Sequence, residues 1–98
     1  MSEENTKQEY DWMTENDDGT WTVNTKAGDY VMEELTENEM NKVARLSEKT
    51  KKPLQTMMAR KCIISPETTD EDFGNLKASV TNRLKMCAST INGITDFL

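Results

Sequence analysis

The sequence predicts a mainly α (α+β) fold: a small helical domain of about three helices with an N-terminal β-hairpin and a disordered acidic leader. Two threonine-led capping signals, at Thr36 and Thr69, indicate helix starts. Apolar residues recur every three or four positions between Phe73 and Ile91, and alternating β-favouring residues precede the first capping signal. The 98 residues suffice for one domain with a thin core.

Residues 1–18 carry the whole net charge of the chain. They hold seven acids and one lysine, whereas the remaining residues hold eleven acids and eleven bases, so the formal charge of -6 arises in this segment. We predict a disordered leader over 1–18, either a solubilising tail or a short segment that docks on a partner through Tyr10, Trp12 and Met13. Nucleic acid is not the predicted target, because phosphate binding needs an excess of clustered lysine and arginine.

A single domain is predicted over 19–98, and it begins with a β-hairpin over 20–35. Trp21 and Val23 alternate with threonines, and a second β-favouring run follows from Tyr30. The intervening residues, 24–29, have turn chemistry and suggest a loop of about four to six residues. Such a hairpin is marginal alone, so it must pack on the helices or on another chain.

The first two helices follow the hairpin. Thr36 as N-cap with Glu39 three residues later forms a capping box, which predicts a helix over 37–50. Pro53 suits the start of a helix better than its interior, so the second helix is predicted over 53–62. Its apolar positions are Leu54, Met57, Met58 and Cys62.

The third predicted helix, over 69–92, has the strongest signals. Either Thr68 with Glu71 or Thr69 with Asp72 can cap its start, and Gly93 suits its end. Its core stripe consists of Phe73, Leu76, Val80, Leu84, Cys87 and Ile91. A helix of about 22 residues is roughly 33 Å long. Two short helices and a hairpin cannot cover both of its ends, so we expect the protein to self-associate.

The residue content predicts no enzyme, no metal site and no cofactor. The chain has no histidine, and Cys62 and Cys87 lie 25 positions apart without a CxxC motif. The acids at 70–72 suit a helix cap better than a cation site. No apolar run approaches the ~18 residues of a membrane span, and the N-terminus is too acidic for a signal peptide. We therefore expect a soluble intracellular protein with reduced thiols.

Two features suggest binding to another chain. Residues 42–61 hold seven bases and one acid, which could contact phosphates or could form a solvated face that receives the acidic leader. Adjacent methionines in the second helix could fill the core or adapt to a partner, and apolar residues at the C-terminal end could dock on the core or on a partner. The candidate partner-binding residues are Met57, Met58, Ile63, Ile64, Ile94, Phe97 and Leu98.

The order of elements over residues 30–98 resembles that of the tail assembly chaperones of long-tailed phages and related prophages. The similarity covers about two thirds of the chain and rests on helix-boundary signals. These are Leu35, Thr36 and Glu39, then Ile63, Ile64 and Pro66, then Thr69, Asp70, Glu71 and Asp72, and finally the INGI sequence at 91–94. Residues 1–29 do not match the pattern.

The resemblance implies a non-enzymatic function. Proteins of this family bind the tape measure protein in the host cytoplasm, keep it soluble and help to recruit tail tube proteins. Two alternatives remain at this point: a small acidic inhibitor that mimics nucleic acid, and a minor virion structural or adaptor protein. An inhibitor of that kind would need ordered carboxylates on a folded surface, whereas the excess acid lies in the predicted leader.

Overall fold

The computed structural model describes residues 12–94, and it contains a sheet as well as helices. The elements in chain order are β1 (Met13–Glu15), β2 (Trp21–Thr25), β3 (Gly28–Met32), α1 (Glu37–Thr50), α2 (Leu54–Cys62), β4 (Ile63–Ser65), α3 (Asp70–Gly74) and α4 (Ala78–Ile91). The predicted mainly helical class with three helices and one hairpin is therefore wrong. The described residues form an α+β domain with four helices and a four-stranded antiparallel sheet.

The sheet has the strand order β1-β2-β3-β4, with every neighbouring pair antiparallel. Met13, Val23 and Tyr30 lie side by side in this register, and all three are buried. Because successive side chains in a strand point to opposite faces, these three residues define the face that packs on the helices. The outer strands are only three residues long, so neither has enough alternation in sequence to be predicted as a strand.

The predicted leader boundary at residue 18 is also wrong. Met13 to Glu15 pair with β2, and the following turn is ordered by Asp18, whose carboxylate accepts hydrogen bonds from the Thr20 hydroxyl at 2.7 Å and the Thr20 amide at 3.0 Å. These bonds hold the pKa of Asp18 below its ordinary value. Acidic residues here stabilise a turn, and the rest of the predicted leader, residues 1–11, lies outside the described part of the chain.

The second hairpin has a shorter loop than the sequence predicts. Thr25 pairs with Gly28, which leaves Lys26 and Ala27 as the connecting residues. Gly28 adopts a φ of 115°, a conformation that residues with a Cβ atom rarely take. The Thr25 hydroxyl donates a hydrogen bond of 2.7 Å to the Gly28 carbonyl and closes the turn.

Helix α1 follows its predicted capping signal, and α2 lies close to its predicted range. The Glu39 amide donates to the Thr36 hydroxyl at 3.2 Å, and the Thr36 amide donates to the Glu39 carboxylate at 2.9 Å, so the predicted capping box is present. Helix α1 occupies the predicted range. Helix α2 begins one residue later than predicted, because Pro53 is extended (ψ 133°) and serves as the N-cap.

The predicted helix over 69–92 is two helices. Of the two possible caps, the structure uses Thr69 with Asp72, but α3 ends at Gly74 and α4 begins only at Ala78. Glycine and asparagine at 74–75 are poor helix formers, and Lys77 is extended (ψ 149°). Helix α4 has 14 residues and is therefore about 21 Å long.

The core stripe nevertheless faces the interior. Leu84 and Cys87 are fully buried, and Phe73, Val80 and Ile91 are between 3% and 8% exposed, while Leu76 is partly buried against the same cluster. Two helices with a bend between them can wrap around one small core, which a single straight helix cannot do. The stripe is covered, so the expectation of self-association loses its physical basis.

Helix α4 is central to the packing. It contacts α2 and, on the sheet, β2, whereas α1 packs mainly on α2. Asn92, just after α4, joins three segments: its carboxamide oxygen accepts from the Leu35 amide at 2.8 Å, and its nitrogen donates to the Ala88 carbonyl at 2.8 Å and the Cys62 sulfur at 3.3 Å. Val43 is the buried residue of α1, so most of the surface of this helix faces solvent.

Candidate protein-binding site

Most of the predicted partner-binding residues belong to the core. Met58 is 1% exposed, and Met57, Ile63 and Ile94 are partly buried and pack against the core cluster. Consecutive residues in a helix differ by about 100° in direction, so only one of the two methionines can point fully inward. Ile64 on β4 is 45% exposed and is the member of this set that lies at the surface among the described residues.

The other two predicted binding residues, Phe97 and Leu98, lie outside the described residues. The structure also exposes apolar side chains that were not predicted to bind a partner. Within residues 12–94, Leu46 is 49%, Leu54 43% and Met86 42% exposed. Scattered exposed apolar residues are common on monomeric proteins, so exposure by itself identifies no site. What distinguishes Leu46 is its surroundings.

Leu46 lies in a shallow groove between α1 and the C-terminal half of α2. The concave part, which we call the α1–α2 groove, has a volume of about 350 Å³ and is lined by Glu39, Lys42, Val43, Leu46, Arg60 and Lys61. It continues along α1 over Lys42, Arg45, Leu46 and Lys49. The spacing of the residues at 42, 45, 46 and 49 places them on one face of α1. Buried Val43 forms the floor beside Leu46.

The groove has an excess of unpaired positive charge. Its carboxylate, Glu39, is engaged in the α1 capping box, and the Thr36 amide that donates to it holds the pKa of Glu39 below its ordinary value. Arg60 is paired with Asp70 in the first turn of α3. No described residue forms an ion pair or side-chain hydrogen bond with the charged groups of the other four bases, which are Lys42, Arg45, Lys49 and Lys61.

The sequence indicated the basic segment but not its arrangement. Seven bases between Lys42 and Lys61 were evident, yet Lys52 and Arg60 contact Asp70 and help to hold α3. Residues 1–11 of the predicted leader lie outside the described part, so the idea that the basic segment receives the leader stays a prediction. The signal that would have identified the groove is Leu46 itself, an apolar residue between bases at helical spacing on the solvent side of α1.

Trp12 and Met13 do not form a docking segment. Met13 is 1% exposed in the core, and Trp12 packs against the core cluster. The Arg83 guanidinium lies 5.7 Å from the centre of the Trp12 ring, within the range of a cation–π contact. A side-chain hydrogen bond from Trp12 also offsets part of the effect of burial on the pKa of the Cys87 thiol. Trp12 therefore links the start of the sheet to α4.

Cys62 and Cys87 are free and fully buried, and burial raises the pKa of each thiol to about 11. A thiol reacts through its thiolate, so both cysteines are chemically quiet in the folded domain. No group of three or more potential ligands among His, Cys, Asp and Glu is placed to hold a metal ion in residues 12–94. The helices of this part of the chain also lack the combination of length and apolar character needed to cross a membrane.

The raised thiol pKa values predict a pH dependence of stability and reactivity. Because each folded pKa of about 11 lies above the ordinary value of 9.0, the folded state retains protons that the unfolded state loses, so the free energy of unfolding falls as pH rises from 9 to 11. At pH 8 we expect labelling by a thiol-specific disulfide reagent to be at least about a hundredfold slower in native protein than in urea. The double variant Cys62→Ala/Cys87→Ala should lose part of the pH dependence of the urea midpoint. Equal labelling rates in the native and unfolded states would contradict this assignment.

Comparison of the chain with known protein families, with curated proteins and with solved structures found no match. The role proposed for the groove therefore depends on the geometry and charge of the groove itself.

Proposed function

We propose that this protein is a non-enzymatic tail assembly chaperone of a long-tailed phage or prophage, which binds the tape measure protein in the host cytoplasm and helps to recruit tail tube subunits. The observation that carries the proposal is the half-exposed Leu46 among unpaired bases in the α1–α2 groove. An apolar side chain in a groove between two helices is the kind of surface that receives another helix. In the family that this chain resembles, the client is the tape measure protein, a long helical polypeptide that could occupy such a groove.

The groove suits temporary binding. Covering the exposed half of one leucine contributes about 1 kcal/mol, and each exposed ion pair contributes about 0.2–1 kcal/mol. Contacts of this size give weak binding that is readily reversed. The two capping boxes also support the proposal, because they belong to the motif pattern that resembles the chaperones and both form in the structure.

The charge distribution favours this proposal over an acidic inhibitor. Of the 18 acids, Glu3, Glu4, Glu9, Asp11 and Asp96 lie outside the described residues, which leaves thirteen acids against eleven bases within residues 12–94. The groove with unpaired charge is basic. A mimic of nucleic acid requires a folded surface of the opposite sign.

Co-expression tests the proposal. A full-length tape measure polypeptide should shift into the soluble fraction when this chain is co-expressed, and the two should co-purify and elute together in size-exclusion chromatography. A small acidic protein of similar charge serves as the control for non-specific solubilisation. Equal solubility of the tape measure polypeptide with and without this chain, together with no co-elution, would overturn the proposed function.

A further inference from the structure

The α1–α2 groove combines one apolar contact point with a row of positive charges, and this combination defines the chemistry of its ligand. We infer that the groove binds an acidic amphipathic helix, whose apolar residue covers Leu46 and whose carboxylates face Lys42, Arg45 and Lys49. This inference rests on the proposed function, because it specifies which class of client segment the protein recognises. It also specifies what the groove excludes, because basic or uncharged helices are not bound at this site.

Charge complementarity requires acidic groups on the ligand. Lys42, Arg45 and Lys49 lie on one face of α1, and Lys61 lies across the groove on α2. Their charged groups have no ion-pair or hydrogen-bond partner among residues 12–94, whereas Arg60 beside them is already paired. A ligand of the same sign would be repelled by all four bases at once.

The groove walls require a ligand that satisfies its own backbone hydrogen bonds. Both walls are helices, whose backbone groups bond within the helix, so an extended peptide could not pair with them as it can with the edge of a sheet. A helix brings no unsatisfied backbone groups into the contact. The row from Lys42 to Lys49 rises about 10.5 Å along α1, or two turns, which matches carboxylates spaced three or four residues apart on the ligand.

Nucleic acid fits the groove less well than an acidic helix. Leu46 lies in the middle of the row of bases, where a phosphate backbone would bury it against anionic oxygens. Proteins that bind single strands use aromatic side chains as stacking platforms, and none of the residues that line the groove is aromatic. Only a ligand that carries apolar and anionic groups side by side can contact Leu46 and the surrounding bases at the same time.

Synthetic peptides test the inference directly. The probe is an 18-residue helical peptide with blocked ends, one leucine stripe and glutamates on both sides of it. Its matched control has lysine in place of every glutamate, and a 12-base-pair DNA duplex is the nucleic acid probe. We expect fluorescence anisotropy to show saturable binding of the acidic peptide, at least about tenfold tighter than the lysine peptide, with affinity that falls as salt is raised. Tighter binding of the duplex than of the acidic peptide would overturn the inference.

Matched variants locate the binding surface. Leu46→Asp should weaken acidic-peptide binding by at least about tenfold, whereas Leu54→Asp, which changes a leucine of similar exposure outside the groove, should leave it unchanged. Circular dichroism should show both variants folded, because neither leucine belongs to the buried core. Equal affinity of the two variants for the acidic peptide would overturn the assignment of this groove.

Charge reversal gives the sharpest test. The double variant Lys42→Glu/Lys49→Glu should lose the acidic peptide and gain the lysine peptide, whereas the control Lys26→Glu/Lys77→Glu, with the same change of net charge at exposed sites elsewhere, should bind as the unchanged protein does. Retained acidic-peptide binding in the groove variant would overturn the inference, yet co-elution with the tape measure polypeptide could still support the proposed function through another surface. If the acidic peptide binds but the tape measure polypeptide does not co-elute, the result supports the inference about the groove and speaks against the proposed function.

Discussion

Leu84→Asp is expected to abolish cooperative folding of the domain at 25 °C. Leu84 is fully buried on α4, the helix that packs on both α2 and the sheet. Removing a buried leucine costs about 2–5 kcal/mol, and a buried carboxylate without a partner adds several kcal/mol. A domain of this size has about 5–15 kcal/mol of stability in total, so the combined loss is comparable with all of it.

Met86→Asp is the matched control for that change. Met86 lies two residues along the same helix but is 42% exposed, so its substitution should alter the free energy of unfolding by no more than about 1 kcal/mol. Urea unfolding followed by far-ultraviolet circular dichroism measures both variants. A Leu84→Asp protein with a urea midpoint close to that of Met86→Asp would show that the buried face of α4 is assigned incorrectly.

Met13→Asp is expected to destabilise the domain by about 3 kcal/mol or more, because it places a carboxylate in the core beside Val23. This result would distinguish an ordered first strand from a disordered leader, in which the same change would have almost no effect. The neighbouring residue supplies the control. Thr14 is exposed on the opposite face of β1, so Thr14→Asp should cost less than about 1 kcal/mol.

The two variants at β1 are compared by thermal and urea unfolding of the full chain. Similar unfolding midpoints for Met13→Asp and Thr14→Asp would contradict the pairing of β1 with β2 and would restore the prediction of a leader that extends to residue 18. A large difference would show that the first strand is part of the cooperative unit.

The starts of α1 and α3 were predictable because their signals are local. The capping box at Thr36 and Glu39 and the one at Thr69 and Asp72 each involve residues three positions apart, and each hydrogen bond can be anticipated from the sequence. The range of α1 was predicted for the same reason. The break after α3 was not, because the apolar period continues across it: Leu76 in the connection still contacts the core.

The outer strands were not predictable because their partners are distant. β4 pairs with β3 although two helices separate them in sequence, and the hydrogen bond between the Glu33 amide and the Cys62 carbonyl belongs to this long-range contact. Three-residue strands have no alternation of their own. Their conformation is decided by the neighbouring strand and by the core face of the sheet.

In the candidate site too, some features are visible in the sequence and others are decided by tertiary contacts. The abundance of bases between 42 and 61 is visible in the sequence, but which bases remain unpaired is decided by α3, whose Asp70 engages Lys52 and Arg60. Likewise, Met58 and Leu46 are both apolar residues in amphipathic helices. The packing of the elements around α2 buries the first, whereas the second stays half-exposed.

By itself, the sequence determined the starts of α1 and α3, the inward-facing stripe from Phe73 to Ile91 and the separation of an acidic beginning from a basic middle. These features depend on residues within one or two helical turns of each other or on composition. Tertiary structure alone decided the four-stranded sheet, the division of the last helix and the groove beside Leu46. The physical reason is that strand pairing, helix breaking and burial are set by contacts between segments far apart in the chain, and no local pattern records which segments will meet.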